Sequence, residues 1–173
     1  MQNMTMSFSN AMRRTLGKLD AVPGMLQGPL RNFAIRRTIP FVGTAGLSIQ
    51  SISADEVRIR LKNTRRVQNH IGSVHAAAAA LLAETATGLV VGMNVQDQCI
   101  PLMKKMTIQY TRRSEGDLLG VATLPDDAIA QLHSTDKGAV VVPVEVTDTT
   151  GQATLICEMD WAWIPKVRKS DGG

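Results

Sequence analysis

Residues 73–88 read SVHAAAAALLAETATG, and this stretch decides the fold. From Ala76 through Ala83 all eight residues are apolar, five of them consecutive alanines. A helix without a polar stripe has no face to turn to water, so these residues predict a helix buried on nearly all sides. Ser73 has the side chain of an N-cap, and Gly88 suits the position just past the C-terminus. The short alanine side chains let a sheet approach such a helix closely. Glu84 is the one ionisable residue between Ala76 and Asn94. Near the C-terminal end of a buried helix, both the helix dipole and desolvation disfavour an anion. Its carboxyl is therefore expected to titrate above the ordinary range unless a partner offsets the burial. Two readings stand at this point: a structural carboxylate satisfied by an arginine or by backbone donors, or an acid–base group at work.

On either side of the helix the period changes to two. Leu47, Ile49 and Ile52 mark a first strand. Val57, Ile59 and Leu61 alternate with Arg58, Arg60 and Lys62 in a second, after a turn at Ser53-Ala54-Asp55. Residues 63–72 are polar and form a loop. Four strands are expected after the helix. The first spans 102–113, with Met106, Ile108 and Tyr110 alternating, and pairs with 117–124 across Ser114-Glu115-Gly116. A short helix runs from Pro125-Asp126 to near His133, and 139–147 with 152–164 close a hairpin around Thr149-Thr150-Gly151. Upstream, Phe8, Met12, Leu16 and Leu19 fit an amphipathic helix over 7–19. Pro23, Gly24, Gly28 and Pro29 break it, and a second short helix fits 29–38. The fold class is α+β: an antiparallel sheet wrapped around one long buried helix, with an N-terminal helical extension over 1–40, a main domain over 41–166 and a tail over 167–173.

Composition narrows the function. The 173 residues include only six aromatics, so the core is built from aliphatic side chains. The net charge of +4 favours an anionic partner. Nucleic acid is disfavoured, because no helix-turn-helix pattern and no aromatic stacking set is present. The longest apolar run, Ala76 to Ala83, is far below the roughly 20 residues of a membrane span. No apolar signal-peptide core is visible near the start, and a cytoplasmic location is expected. Cys99 and Cys157 are far apart and lack metal-ligand spacing, consistent with two reduced thiols. His70 and His75, five residues apart, fall on different faces of a helix and find no third ligand, so no metal is expected. No cofactor is expected either, and His133 is expected to be solvated near a turn.

Glu84 follows His75 by nine residues. On one helix that spacing is half a revolution and about 13.5 Å along the axis, so the pair works together only if a second chain supplies one member. At the helix start, free N–H groups, notably that of Ala76, suit the polarisation of a carbonyl oxygen. The segment Asn69-x5-His75-x8-Glu84, with Gly72-Ser73-Val74-His75 inside it, resembles the active-site segment of hot-dog-fold thioesterases of the phenylacetyl-CoA type. The strand order over about 40–164 is similar as well. The resemblance implies a hot-dog domain that hydrolyses acyl-CoA or a related thioester at the interface of a homodimer or dimer of dimers. It implies Glu84 as nucleophile or general base, Asn69 as a holder of water or substrate, the Ala76 amide as the thioester-oxygen donor, and His75 as orienter of the acyl end. Gly72 and Ser73 then line the substrate path. Lys104, Lys105, Arg112 and Arg113 are expected to meet CoA phosphates at the sheet rim, with Arg65 and Arg66 entering the loop. Two departures from the family pattern stand out: Ala76-Ala77 replaces the usual Gly-Gly, and the acid is Glu rather than Asp. The added methyls favour an alternative, a non-catalytic hot-dog protein that binds acyl-CoA or a fatty-acyl group.

Overall fold

The computed structural model describes residues 8–167. Residues 1–7 and 168–173, at the two ends of the expected extension and tail, lie outside the described residues. The chain runs α1 (Ala11–Gly17), a 3-10 turn (Lys18–Ala21), α2 (Gly24–Thr38), α3 (Pro40–Ala45), β1 (Ser48–Ile52), β2 (Glu56–Leu61), a 3-10 turn (Arg65–Val67) and α4 (Ala76–Gly92). There follow β3 (Cys99–Tyr110), β4 (Leu118–Thr123), α5 (Asp126–Ser134), β5 (Gly138–Val142), β6 (Val144–Asp148) and β7 (Ala153–Pro165). The seven strands make one antiparallel sheet in the order β1-β2-β4-β6-β7-β3, with β5 pairing the far half of β7. The sheet wraps α4 in the hot-dog arrangement expected from the sequence.

The core lies between α4 and the sheet. Leu82, Ala83, Ala86 and Val90 are fully buried against Val57, Ile59 and Leu61 of β2 and Ala122 of β4. At Gly120 the sheet lies close against the helix: a Cβ there would lie 3.1 Å from Leu82 Cγ. Trp161 and Trp163 of β7 are both buried. The Trp161 ring lies over Gly88, where a Cβ would come within 2.8 Å of it, and its indole N–H donates to Thr87 Oγ1 at 3.0 Å. This corrects the expected end of the helix. Gly88 is an interior residue that makes room for an indole, and α4 continues to Gly92.

Several other expectations are corrected. The N-cap is His75, not Ser73. β3 does not pair with β4 across Ser114-Glu115-Gly116; it pairs with β7 throughout, and β4 lies between β2 and β6. The intervening residues are anchored to two different places, so they carry the chain across the fold instead of reversing it. Arg113 bonds the loop before α4, and Arg112 bonds Asp148 at the end of β6. The strand expected over 139–147 is two strands interrupted at Pro143, which has no N–H to contribute to a ladder. The helix expected over 29–38 starts at Gly24 and passes through Gly28 and Pro29. α4 is also less buried than the nearly complete burial expected: Ala76 and Ala77 are exposed, and Ala80, Leu81 and Glu84 are half-buried.

The N-terminal helices are held to the body by side chains that satisfy backbone groups. Asn10 caps α1 and donates to the carbonyls of Gly92, the last residue of α4, and Val95 just beyond it. Arg13 donates to Met93 O at 2.7 Å and Asn94 Oδ1 at 2.6 Å. His133 is not solvated: its ring stacks on Phe8 at 3.6 Å and its Nε2 lies 3.1 Å from Asn94 Oδ1. Burial, reinforced by the Arg13 charge, holds its pKa below the ordinary value. On the opposite edge, α2 covers β1. Asn32 Oδ1 accepts from the Ile49 amide at 2.7 Å and its Nδ2 donates to Ile49 O at 3.1 Å, the pair of bonds that a neighbouring strand would make. Arg31 donates to the carbonyls of Ile49 and Gln50, and Arg36 to that of Leu47.

Asp148 ties together the two connections at one end of the sheet. Its buried carboxylate accepts from Arg112 at 2.5 Å, the Glu115 amide at 2.8 Å, and the amide and hydroxyl of Thr150 at 2.9 and 2.6 Å. Burial alone would raise its pKa, but these donors outweigh it and lower it to about 2. Asp148→Ala is expected to lower the unfolding free energy by about 3 kcal/mol, since it strands a guanidinium and two amides. Because the folded pKa is depressed, the stabilisation is present above the ordinary aspartate range and is lost as pH falls through it towards about 2. Denaturant titrations across that window should show a pH slope in the wild type that is weaker in the variant.

Candidate active site

The site is built where the loop after β2 turns into α4. A single bridge between Gln68 and Val74 draws the loop into a narrow hairpin. Asn69 Oδ1 closes it by accepting from the amides of Ile71 at 3.0 Å and Ser73 at 3.1 Å. Gly72 takes φ +78, a conformation that strains any residue with a Cβ. From β3's end, Arg113 Nε donates to the buried Ser73 hydroxyl at 2.7 Å and Nη2 to Ile71 O at 2.9 Å. The Gly72-Ser73 spacing is thus a local requirement of the turn.

His75 then starts the helix. Its backbone is extended, its carbonyl accepts from the amides of Ala78 and Ala79, and its Nδ1 accepts from Ala77 N at 3.1 Å. With Nδ1 an acceptor, the neutral ring carries its proton on Nε2. The Ala76 amide has no partner among the described residues, and the Ala76 carbonyl accepts from the Tyr110 hydroxyl at 2.8 Å. Tyr110 was not singled out from the sequence, although it ends the Met106, Ile108, Tyr110 alternation that faces α4. Burial, and secondarily Cys157, raises its pKa.

Two cavities flank this helix start. One of about 240 Å³ is lined by Asn69, Ser73, Ala76, Tyr110 and Arg113 among others. The other, about 200 Å³, is lined by Phe41, Arg66, His75, Ala77 and Leu81 among others. Glu84 lines neither cavity. It does extend the line of the second, since Ala77, Leu81 and Glu84 follow at helical spacing on one face. This alters the angular expectation for His75 and Glu84. His75 is an extended cap whose ring shares a cavity with Ala77 and Leu81, so the two are not on opposite faces. The axial separation of nine residues remains.

Glu84 is half-buried on this otherwise apolar face. No described ion pair reaches it, and its one described side-chain partner is Thr85 Oγ1 at 3.4 Å. Burial raises its pKa, and the Thr85 contact opposes that only in part. Among the four expected phosphate contacts, Arg112 and Arg113 are engaged within the chain, Lys105 lies 3.7 Å from Glu158, and Lys104 is exposed at a β-bulge. Among the described residues, no three His, Cys, Asp or Glu are grouped as a metal would require. Cys99 and Cys157 are free, and burial pushes the Cys157 thiol up to about 11. Among the same residues no helix is long and apolar enough to cross a membrane.

A half-buried, unpaired carboxylate on the central helix of this fold is the feature to compare with other proteins. Residues 30–164 match the model of a family described as a domain of unknown function, DUF4442. The chain belongs to that family. No curated protein matches it. Among solved structures it is similar to PA5026 of Pseudomonas aeruginosa, described as a probable thioesterase, with 25% identity and a TM-score of 0.72 over 80% of this chain and 95% of that one. It is also similar to thioesterase HI1161 of Haemophilus influenzae, with 14% identity and a TM-score of 0.62 over 75% and 85% of the two chains. The thioesterase SAV0944 of Staphylococcus aureus gives 20% identity and a TM-score of 0.63 over 73% and 99%. The likeness at these lower identities is one of fold, and the fold is that of the hot-dog thioesterases.

Proposed function

We propose that this DUF4442 chain hydrolyses acyl-CoA or a related thioester, with Glu84 as general base or nucleophile. The observation that carries the reading is Glu84 itself: a half-buried carboxylate with a raised pKa and, among the described residues, no ion-pair partner, on the central helix of a thioesterase-type fold. Desolvation makes such a carboxylate a stronger base than one in water. The free Ala76 amide is available to hold the thioester oxygen as charge develops on it. His75 Nε2–H is available to orient the acyl end. With its oxygen committed to the loop, Asn69 keeps its amide N–H group for water or substrate.

The site is completed, in this reading, by a second copy of the chain. Among the described residues β3 pairs only with β7, which leaves the other edge of this 12-residue strand without a strand partner. Met106 and Tyr110, on its helix-facing side, are about half exposed beside the open face of α4. Pairing of two β3 edges would cover both and bring one chain's Glu84 towards its partner's helix start.

The test is a panel of acyl-CoA thioesters of graded chain length, followed by release of free CoA thiol. Saturable turnover with at least one class is the expected result. Saturable binding without thiol release would favour the non-catalytic reading, in which the Ala76 and Ala77 methyls close the path that the glycines usual in phenylacetyl-CoA-type thioesterases leave open. Neither binding nor turnover would exclude both.

A further inference from the structure

Helix α2 is turned inside out. Its polar residues Arg31, Asn32 and Arg36 face the protein, where they bond the backbone of β1 and the residues before it. Apart from Ile35, which is buried in the core, its large apolar residues face outward: Met25 is 84% exposed, Phe33 68%, Leu26 48% and Leu30 40%. Leu26, Leu30, Phe33 and Arg37 follow at intervals of four, three and four residues, which is one continuous stripe along a helix. In water, any of the three apolar positions would hold a polar residue at no loss to the packing beneath.

The charge around this stripe is one-sided. Residues 1–54 contain six Lys and Arg and a single acid, Asp20, so the chain's net charge of +4 originates there. Arg31 and Arg36 bond neutral carbonyls, which leaves their charge uncompensated. Arg37 is exposed, and no described ion pair includes it. These three arginines, with Phe33, Ser48 and Gln50, line a groove of about 950 Å³ between α2 and β1.

We propose that the outward face of α2 docks the protein on an anionic lipid surface. Leu26, Leu30 and Phe33 enter the boundary between headgroups and acyl chains, and the arginine groove receives lipid phosphates. An apolar stripe flanked by cations is what an interfacial helix requires, and neither element alone holds a protein on a bilayer. A second copy of the chain is the poorer occupant. A two-fold contact through this stripe brings two arginine-lined faces together with no carboxylate on α2 to offset their charge. The stripe also lies by β1, at the opposite end of the strand order from the open β3 edge.

The experiment is co-sedimentation of the full chain with phosphatidylcholine vesicles, with and without phosphatidylglycerol, in the absence of any thioester. It therefore stands or falls separately from the hydrolase reading. Binding is expected to the anionic vesicles only and to weaken at high salt. Leu26→Ser with Phe33→Ser should weaken it at least about tenfold. Arg37→Glu should remove most of the preference for anionic lipid. Unchanged thermal unfolding of these surface variants confirms that the fold is kept. Three results would overturn the proposal: no vesicle binding by the wild type; a changed sedimentation mass of the free double variant with vesicle binding intact, which makes the stripe a protein contact; or abolition of binding by free CoA, which makes the groove a nucleotide site.

Discussion

Glu84→Gln is expected to lower thioester turnover by about 10²–10⁴-fold while leaving the fold in place. Glutamine keeps the shape of the protonated acid but can neither accept a proton nor attack a carbonyl. Stability should not suffer. Burial raises the Glu84 pKa, so the folded state favours the protonated form more than the unfolded state does. The favourable contribution is present below the ordinary glutamate pKa and is lost as pH rises through the raised folded value. Gln therefore replaces a half-buried carboxyl that no described cation pairs, and unfolding midpoints should be equal to or above wild type. The same shift places the acid limb of the wild-type pH–rate profile above the range of an ordinary glutamate, since the unprotonated base is needed. A variant that hydrolyses thioesters at near wild-type rate would make Glu84 structural.

His75→Ala and Glu84→Ala, each inactive alone, are expected to recover about a quarter of wild-type turnover when denatured and refolded together. The two residues stand about 13.5 Å apart along the axis of α4, too far to act on one carbonyl within a chain. If each site takes His75 from one chain and Glu84 from its neighbour, random pairing makes about half of the dimers mixed, and each mixed dimer holds one intact site of two. The measurement needs mixed dimers shown by mass alongside the rate. Their presence with no recovered activity would mean that the two residues act within one chain, or not together.

The central helix and its acid were legible because both signals are local. An unbroken apolar run says buried, and a lone carboxylate in it says perturbed. β2 was legible for the same reason, since its alternation survives as buried Val57, Ile59 and Leu61. Strand order was not. Whether β3 pairs with β4 or β7 depends on where Arg112 and Arg113 anchor the connection, and those partners lie about 36 to 42 residues away in sequence. The ends of α4 were misplaced by rules that hold on average. Ser73 gave its hydroxyl to Arg113, and Gly88 answers to the Trp161 ring. The N-terminal helices were hardest to read, because in α2 most large apolar residues mark the outside, Ile35 excepted, and polar ones make much of the contact.

The placement of Trp161 and Trp163 has a consequence for anyone who follows unfolding by light. Both indoles of the chain belong to β7, buried on the core side of the sheet, and Trp161 rests on α4 itself. Intrinsic fluorescence therefore watches the grip of the sheet on its central helix and is blind to α2. Circular dichroism, by contrast, counts the helical residues of α1, α2 and α3 along with those of α4. An ellipticity change that precedes the emission shift on heating would be the signature of the N-terminal helices letting go first, with the hot-dog core still closed.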